Sequence, residues 1–405
     1  MSLPILTAYA FRLYLFSSLY FRRRTETPFF GAPLADPLVS VILPLYNEER
    51  VVDRLMGCCT SFTSVDYEVI VVDDSTDSTP SKLERWRGYP QVKVLHRAQR
   101  EGWKAGALNE GLRELDPRSK YCLVLDADSV PEPDLLARYL VRMEETDADV
   151  IQGPQQTDLN SGESWVARGT SLMLNGFNFV ELRAKRALGL VIPITGSNFM
   201  AKTSVLQAYG FAQDIAEDWN LTIRLWCDGK RVIYDPSLAV RGESPPTLRG
   251  AATQFSRWAQ GTTRNTVLLA GRVVRSRELS GRLKFDFLMS GFSYVTSLLI
   301  ILIVLGDIFM PVPAFSTPPT AFLYWGTVIG LLGLPAAPLS LIIATKSSKV
   351  KDKVGAILGA LVETYIVAPA IAYAVLKGAL IRSGSFTRTA KSGWTETSPE
   401  AYVTA

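Results

Sequence analysis

The stretch LVLDADSVPEPDLL, residues 123–136, carries an apolar run into two aspartates, Asp126 and Asp128, and then breaks into a proline-rich turn. Residues two apart in extended chain point to the same side, so the two carboxylates share one face at the end of a strand. Adjacent carboxylates repel each other unless they share a proton or a cation. A divalent cation with a phosphate-bearing ligand resolves that repulsion, because Mg2+ or Mn2+ takes one or two carboxylates and completes its shell from phosphate oxygens. Asp and Ser after a strand also make ordinary turns, so this stretch alone leaves a metal site and a turn both open.

The neighbouring segments repeat the pattern. LVSVILPLY (38–46) is an apolar, β-branched run followed by NEERVVDRLMGCC (47–59) with helical spacing; YEVIVVDDS (67–75) precedes the helical TPSKLERWRG (79–88), and KYCLVLDADS (120–129) is a third strand. From Pro37 to about Val240 this alternation predicts an α/β layer with a largely parallel sheet. Ligands in such sheets bind beyond the carboxyl ends of strands. Polar groups gather there: Asn47 and Glu48 close the first strand, and Asp73 and Asp74 the second. An N-cap or an Asx-turn accounts for each end singly, but three acidic strand ends in succession make a pattern.

Composition bounds the remaining possibilities. A chain of 405 residues suggests two or three structural parts. The apolar share of 47% is high for a soluble enzyme and unevenly spread, with no charge between Met310 and Lys346. A net charge of +4 without aromatic–basic alternation gives no support for a nucleic-acid partner. Cys58, Cys59, Cys122 and Cys227 form no CxxC and sit in apolar segments, which predicts free thiols facing a reducing compartment. The single histidine, His96, is read as structural and argues against a His-rich zinc site or a Ser-His triad, leaving oxygen ligands for any metal.

Three C-terminal stretches, residues 288–310, 320–344 and 354–376, have the roughly 20 apolar residues that a bilayer crossing takes. KSSKVKDK (346–353) and the group Arg272, Arg275, Arg277, Arg282 and Lys284 are basic flanks, which by the positive-inside tendency put the preceding globular region in the cytoplasm. The first 21 residues are apolar and aromatic, with Arg12 in the middle and Arg22, Arg23 and Arg24 behind. They predict an uncleaved anchor that spans the bilayer or lies in its interface, with Arg12 snorkelling. Three full crossings from the cytoplasm would leave the C-terminal tail outside, although Arg388 and Lys391 favour inside. One stretch is then re-entrant, and the third, carrying Glu363 and Pro369, is the candidate.

From Val39 to Trp258 the sequence resembles the inverting nucleotide-sugar glycosyltransferases of family 2, in particular their cellulose-synthase-like membrane branch. SVILPLYNEE, VVDDSTDST, EGWKAGALNEGL, LVLDADSVPEPDLL, TGSNFMAKTSVL, AEDWNLTIRLWCDGKRV and QFSRW occur in that family's order. The resemblance implies a GT-A type nucleotide-sugar-binding domain. It gives Asn47, Glu48, Asp73 and Asp74 the nucleotide base and ribose, and Lys104 the diphosphate. Asp126 and Asp128 would hold Mg2+ or Mn2+, with Asp128 the direct ligand. Glu217 and Asp218 would form the catalytic acidic motif with Asp218 as base, although acidic residues in a helix's first turn also serve its dipole. Gln254, Arg257 and Trp258 would match QxxRW, the arginine meeting the diphosphate and the tryptophan stacking near the acceptor sugar. Residues 386–391, Phe-Thr-Arg-Thr-Ala-Lys, resemble an FxxTxK element that gates the nucleotide site, with alanine where proline is frequent.

The expected organisation is an N-terminal anchor or interfacial helix over 1–36, a cytoplasmic GT-A domain over 37–245 and an amphipathic QxxRW segment over 246–284. Transmembrane helices follow over 285–382 and a cytoplasmic tail over 383–405. The expected enzyme is a multi-pass cell-membrane hexosyltransferase, UDP-linked in its donor, that forms a β-glycosidic bond to a lipid or short glycan acceptor. A processive polysaccharide synthase of cellulose, hyaluronan or chitin type is the alternative; the few spans make a monomeric channel sparse, and a homo-oligomer would supply one. A non-catalytic sugar-nucleotide-binding membrane protein is a more remote one.

Overall fold

The computed structural model describes residues 2–20, 37–309, 336–345, 352–381, 389 and 391–393. An apolar helix, α1 (Ser2–Tyr20), comes before the first strand, β1 (Val39–Leu45). Strands and helices then alternate: α2 (Val52–Cys59), β2 (Tyr67–Asp73), α3 (Thr79–Leu83), β3 (Val92–His96), α4 (Trp103–Arg113), β4 (Tyr121–Val124), α5 (Leu135–Thr146) and β5 (Val150–Gln152). After a two-residue strand, β6 (Gln155–Gln156), come α6 (Trp165–Gly176) and, past a π-turn over Phe177–Glu181, α7 (Leu182–Leu188). Strand β7 (Phe199–Lys202), helices α8 (Thr203–Tyr209) and α9 (Glu217–Cys227), and strands β8 (Val232–Tyr234) and β9 (Val240–Arg241) complete the α/β part.

Alternate side chains of β1 enter two different cores, as a parallel strand covered on both faces requires. Val41, Leu43 and Leu45 pack with Leu55 of α2 and Leu136 and Leu140 of α5. Ile42 faces the other way, toward Leu108 of α4, Leu206 of α8 and Leu221 of α9. The seven-stranded sheet has the order β3-β2-β1-β4-β7-β5-β8. It is parallel except at β7, which runs against both β4 and β5. The exception matters for function. A reversed strand brings its leading residues, Thr195–Ser197, to the edge where β1, β2 and β4 end.

Beyond the sheet lie α10 (Leu248–Arg275), α11 (Gly281–Gly291), α12 (Val295–Phe309), α13 (Ala336–Ala344) and α14 (Lys353–Leu380). Here the structure departs from the sequence expectations in three places. Arg12 does not snorkel: it pairs with Glu181 at 2.9 Å and Asp286 at 3.3 Å, because two carboxylates on the packed side compete successfully with water for its charge. The first apolar stretch is no straight span, since α11 and α12 are bent by 60° at their break. Helix α14 is continuous through Pro369. A proline there removes one backbone donor, and Val367, Ile371 and Ala374, packed against Ala259 of α10, hold the helix on both sides of it.

Among the described residues α14 is the one helix that is by itself long and apolar enough to cross a membrane, with the bent α11–α12 pair a second if counted as one span. Of the stretch 320–344 only α13 lies within the described residues; residues 22–24, 346–351 and 386–388 lie outside them. Helix α14 meets the α/β part along its length. Asp352, its N-cap, pairs with Arg168 of α6 at 2.6 Å. Gly169 of α6 packs so tightly that a Cβ there would lie 2.8 Å from the Ala360 nitrogen, and a Cβ on Gly378 would meet the Gln260 carbonyl of α10 at 2.4 Å. All four cysteines are free and buried.

Candidate active site

The loop after β4 carries Asp126 and Asp128. The strand ends at Val124, so the two aspartates lie in the turn beyond it, not in extended chain as the sequence suggested. The turn is fixed by its neighbours: the Asp126 backbone N–H donates to Ser197 Oγ at 2.8 Å, and that of Ser129 to the Asp126 carbonyl at 3.1 Å. Asp126 faces a cavity, whereas Asp128 is buried at its rim. Asp128 Oδ2 accepts the Glu243 backbone N–H and Lys391 Nζ, each at 2.8 Å. Glu243 is itself held by Arg54 at 2.8 Å and accepts the Ser392 backbone N–H at 2.9 Å.

Lys104, on the second residue of α4, donates to Asp126 Oδ1 at 2.6 Å and to the Gly196 carbonyl at 2.8 Å, and lies 3.8 Å from Glu217 Oε1. Glu217 and Asp218 form the first turn of α9, where the Trp219 backbone N–H donates to Asp218 Oδ1 at 2.7 Å. Gly196 sits between them with φ +77°; a Cβ there would lie 2.9 Å from Asp218 Oδ2 and 3.3 Å from Lys104 Nζ. From the other side α10 presents Gln254, Arg257 and Trp258 to the same cavity, with Trp258 held edge-on against Phe255 at 5.5 Å.

Burial decides the electrostatics. It raises the Glu217 carboxyl, with help from the Asp218 charge, to about 7 against the pull of Lys104. Burial likewise raises Asp218, opposed by Lys104 and Arg257. Burial works against the Lys104 charge, yet Asp126, Glu217 and Asp218 outweigh it and hold its pKa above the ordinary lysine value. For Asp128 burial is overcome by Lys391, the Glu243 N–H and Arg54, which keep it below the usual carboxylate range. Burial thus pushes the Glu217 and Asp218 carboxyls up, while the ammonium of Lys391 helps hold Asp128 down.

The cavity measures about 590 Å³ and joins these groups to both ends of the site. At one end stand Tyr46, Glu48, Asp74 and Arg100, with the Arg100 guanidinium 3.5 Å above the Tyr46 ring centroid. At the other end it reaches Met173, Phe177 and Glu181, Ser293 to Ser297, and Val367 and Ile371 of α14. Two expected nucleotide contacts lie off its wall. Asn47, at φ +57°, turns its Oδ1 to the Thr76 N–H at 2.8 Å. Asp73 is buried against His96 Nδ1 at 2.9 Å. Both are used to close the loops that shape the edge. Arg100, Tyr46, Glu243 and Tyr294 join the site without having been singled out in the sequence, because each acquires its place from contacts across the fold.

The pattern of glycosyl transferase family 2 matches residues 40–210. Glucomannan 4-beta-mannosyltransferase 7 of Arabidopsis thaliana is 28% identical over 268 residues, covering 63% of this chain and 48% of its own length. Probable glucomannan 4-beta-mannosyltransferase 3 of Oryza sativa subsp. japonica is 29% identical over 319 residues, covering 74% and 57%. The chain therefore spans about half the length of these curated relatives. Mannosyltransferase PcManGT from Pyrobaculum calidifontis, solved in complex with GDP-Man and Mn2+, shares the fold, with a TM-score of 0.58 at 22% identity over 86% of this chain and 98% of that one. Residues 40–210 thus carry the sequence pattern of glycosyl transferase family 2.

Proposed function

We propose that this chain is a membrane-seated, inverting glycosyltransferase that moves a hexose from a nucleotide sugar to a hydroxyl of a lipid or short glycan acceptor. The observation that carries the reading is the convergence of Lys104, Asp126, Glu217, Asp218, Arg257 and Trp258 on one cavity, with Asp128 at its rim. The nucleotide lies toward Glu48, Asp74 and Arg100, which puts the diphosphate beside Lys104 and Arg257. Their positive charges stabilise the leaving group as its charge develops, the guanidinium through paired contacts and the ammonium as a point charge. Asp218 takes the acceptor proton. The acceptor oxygen bonds to the anomeric carbon as that carbon's bond to the diphosphate oxygen breaks, and the nucleoside diphosphate leaves. Attack opposite the leaving group turns an α-linked donor into a β-linked product.

A divalent cation fits Asp126 and Asp128. Their donor set is hard oxygen, and both carboxylates already draw ammonium groups, Lys104 and Lys391, as stand-in cations. Among the described residues no three His, Cys, Asp or Glu side chains gather for a metal, so phosphate oxygens and water would complete the shell. Bound there, Mg2+ or Mn2+ would supply Lewis-acid stabilisation to the leaving group.

The relatives named as 4-beta-mannosyltransferases, together with the GDP-Man bound by PcManGT, make GDP-linked mannose the first donor to try, beside the UDP-linked hexoses expected from sequence. Their naming for glucomannan favours polymer elongation as the second reading. The test is direct. Asp218→Asn, in the full chain in lipid with Mn2+, lowers sugar transfer by about 10²–10⁴-fold, the usual worth of a positioned base, and leaves nucleotide affinity in place. Undiminished transfer by that variant sinks the reading.

A further inference from the structure

The stretch LHRAQREGWK, residues 95–104, runs from the end of β3 to Lys104. Asp74, Arg100 and Lys104 line the cavity, and Arg97 stands behind that wall. Its Nε donates to Asp74 Oδ1 at 2.7 Å and its Nη2 to Asp74 Oδ2, a bidentate clasp on a buried carboxylate. Nη2 also donates to the Trp103 carbonyl at 3.1 Å, and Nη1 to the Glu101 carbonyl at 3.0 Å. A guanidinium has five N–H groups, and these bonds use four of them. Arg97 is therefore committed to the chain and not to a ligand.

The turn it holds is one that the backbone resists. Gly102 has φ +68° and Trp103 φ +50°, and a non-glycine residue in that region persists only where its surroundings hold it. Helix α4 starts without a side-chain cap, so it is the guanidinium that ties down its first residue. The Trp103 carbonyl belongs to the peptide that leads into Lys104. Holding that oxygen sets the direction in which Lys104 leaves the chain, and Asp126 and the Gly196 carbonyl then receive its ammonium.

We propose that Arg97 is a positioning residue for sugar transfer: one guanidinium sets both Asp74, at the nucleoside end, and the backbone of Lys104, beside the diphosphate. The two halves of the nucleotide then meet groups held in one fixed relation. This deepens the transferase reading and rests on where that reading puts the nucleotide. Arginine suits the task because its planar fork answers a carboxylate and two carbonyls at once. A lysine there keeps a charge beside Asp74 but cannot also span to the turn.

The experiment uses the full chain in lipid nanodiscs with Mn2+ and measures the affinities of GMP against GDP and of UMP against UDP. Monophosphate affinity reports the Asp74 end, and the gain on adding the second phosphate reports Lys104. In Arg97→Lys the monophosphate affinity should hold while that gain falls about tenfold, the worth of one charged hydrogen-bonded contact. Turnover with GDP-mannose or UDP-glucose should fall with it. Arg97→Met leaves Asp74 without its clasp and should lower monophosphate affinity as well. A residue that merely kept the loop folded would lower mono- and diphosphate affinity by the same factor in Arg97→Lys, and that result overturns the inference, as does an unchanged gain. If Arg97→Lys does not fold, Gly102→Ala carries the test: it strains the turn at φ +68° without touching the Asp74 clasp. It should cut the same gain, and an unchanged gain there overturns the inference. A parent chain that binds neither GDP nor UDP sinks the transferase reading and this inference together. A parent that binds them, with variants that match it, sinks this inference alone.

Discussion

Glu217 is a carboxyl whose pKa, about 7, lies above its ordinary 4.5 because it is buried beside Asp218. The folded chain therefore keeps a proton that the unfolded chain releases, and linkage fixes the sign. This contribution to stability is fully present below the unfolded value and is lost as pH rises through the folded one. Denaturation midpoints measured from pH 4 to pH 8 should fall across that window in the parent, and Glu217→Gln should flatten the slope; an unchanged slope would remove Glu217 as its source. The strand-end position alone pointed to Asp126 and Asp128, whereas Lys104, Asp218, Arg257 and Trp258 were singled out through the family resemblance, since a charged residue at a helix start has other uses. Asn47 and Asp73 lie off the cavity wall, because the same residue types also close loops, as each does here. Arg100 and Glu243 were missed because an Arg stacked on Tyr46, or a Glu clasped by Arg54, is defined by partners far away in the chain.

Helices and strands were predicted best where their periodicity is local. The β1–α2–β2 alternation is read directly, whereas the reversed β7 is not, because strand direction depends on how the chain returns after α6 and α7. Helix α14 shows the opposite failure: Pro369 suggested a break, and packing overrides it. That packing is close enough to test. Gly378→Leu places atoms where the Gln260 carbonyl already lies, so it should part α14 from α10, lowering both the thermal midpoint and turnover. A second element contact is the buried Arg54–Glu243 pair, which joins α2 to the segment after β9. Arg54→Met leaves Glu243 uncompensated, and losing one partner of a buried pair typically costs about 3–5 kcal/mol, to be read from urea unfolding in detergent.

For the molecule as a whole, the unresolved count of crossings has a structural answer within reach. Helix α14 begins at Asp352 against Arg168 of α6, and the chain beyond its other end returns to Asp128 and Glu243 through Lys391 and Ser392. Both flanks of the helix thus touch the same α/β part. Its outward face, with Leu358, Val362, Ile366 and Tyr373, is exposed and apolar, which suits a helix lying in the bilayer interface. Single cysteines at Asp352→Cys and Ser392→Cys, probed with a membrane-impermeant maleimide in sealed vesicles, should label from one side only. Labelling from opposite sides would make α14 a crossing helix. The native cysteines, being buried, leave the background low.

Gly196 has a bearing on how such a catalyst can diversify. At φ +77° it lies against both Asp218 and Lys104, so that a Cβ would crowd the carboxylate at 2.9 Å and the ammonium at 3.3 Å. The centre of the machine is thus locked by geometry, and any substitution there is penalised before chemistry begins. Room for change lies instead at the two ends of the cavity, around Arg100 at one and around Phe177 and Ile371 at the other. Changes at one end can then accumulate without disturbing the other end or the packed groups around Gly196.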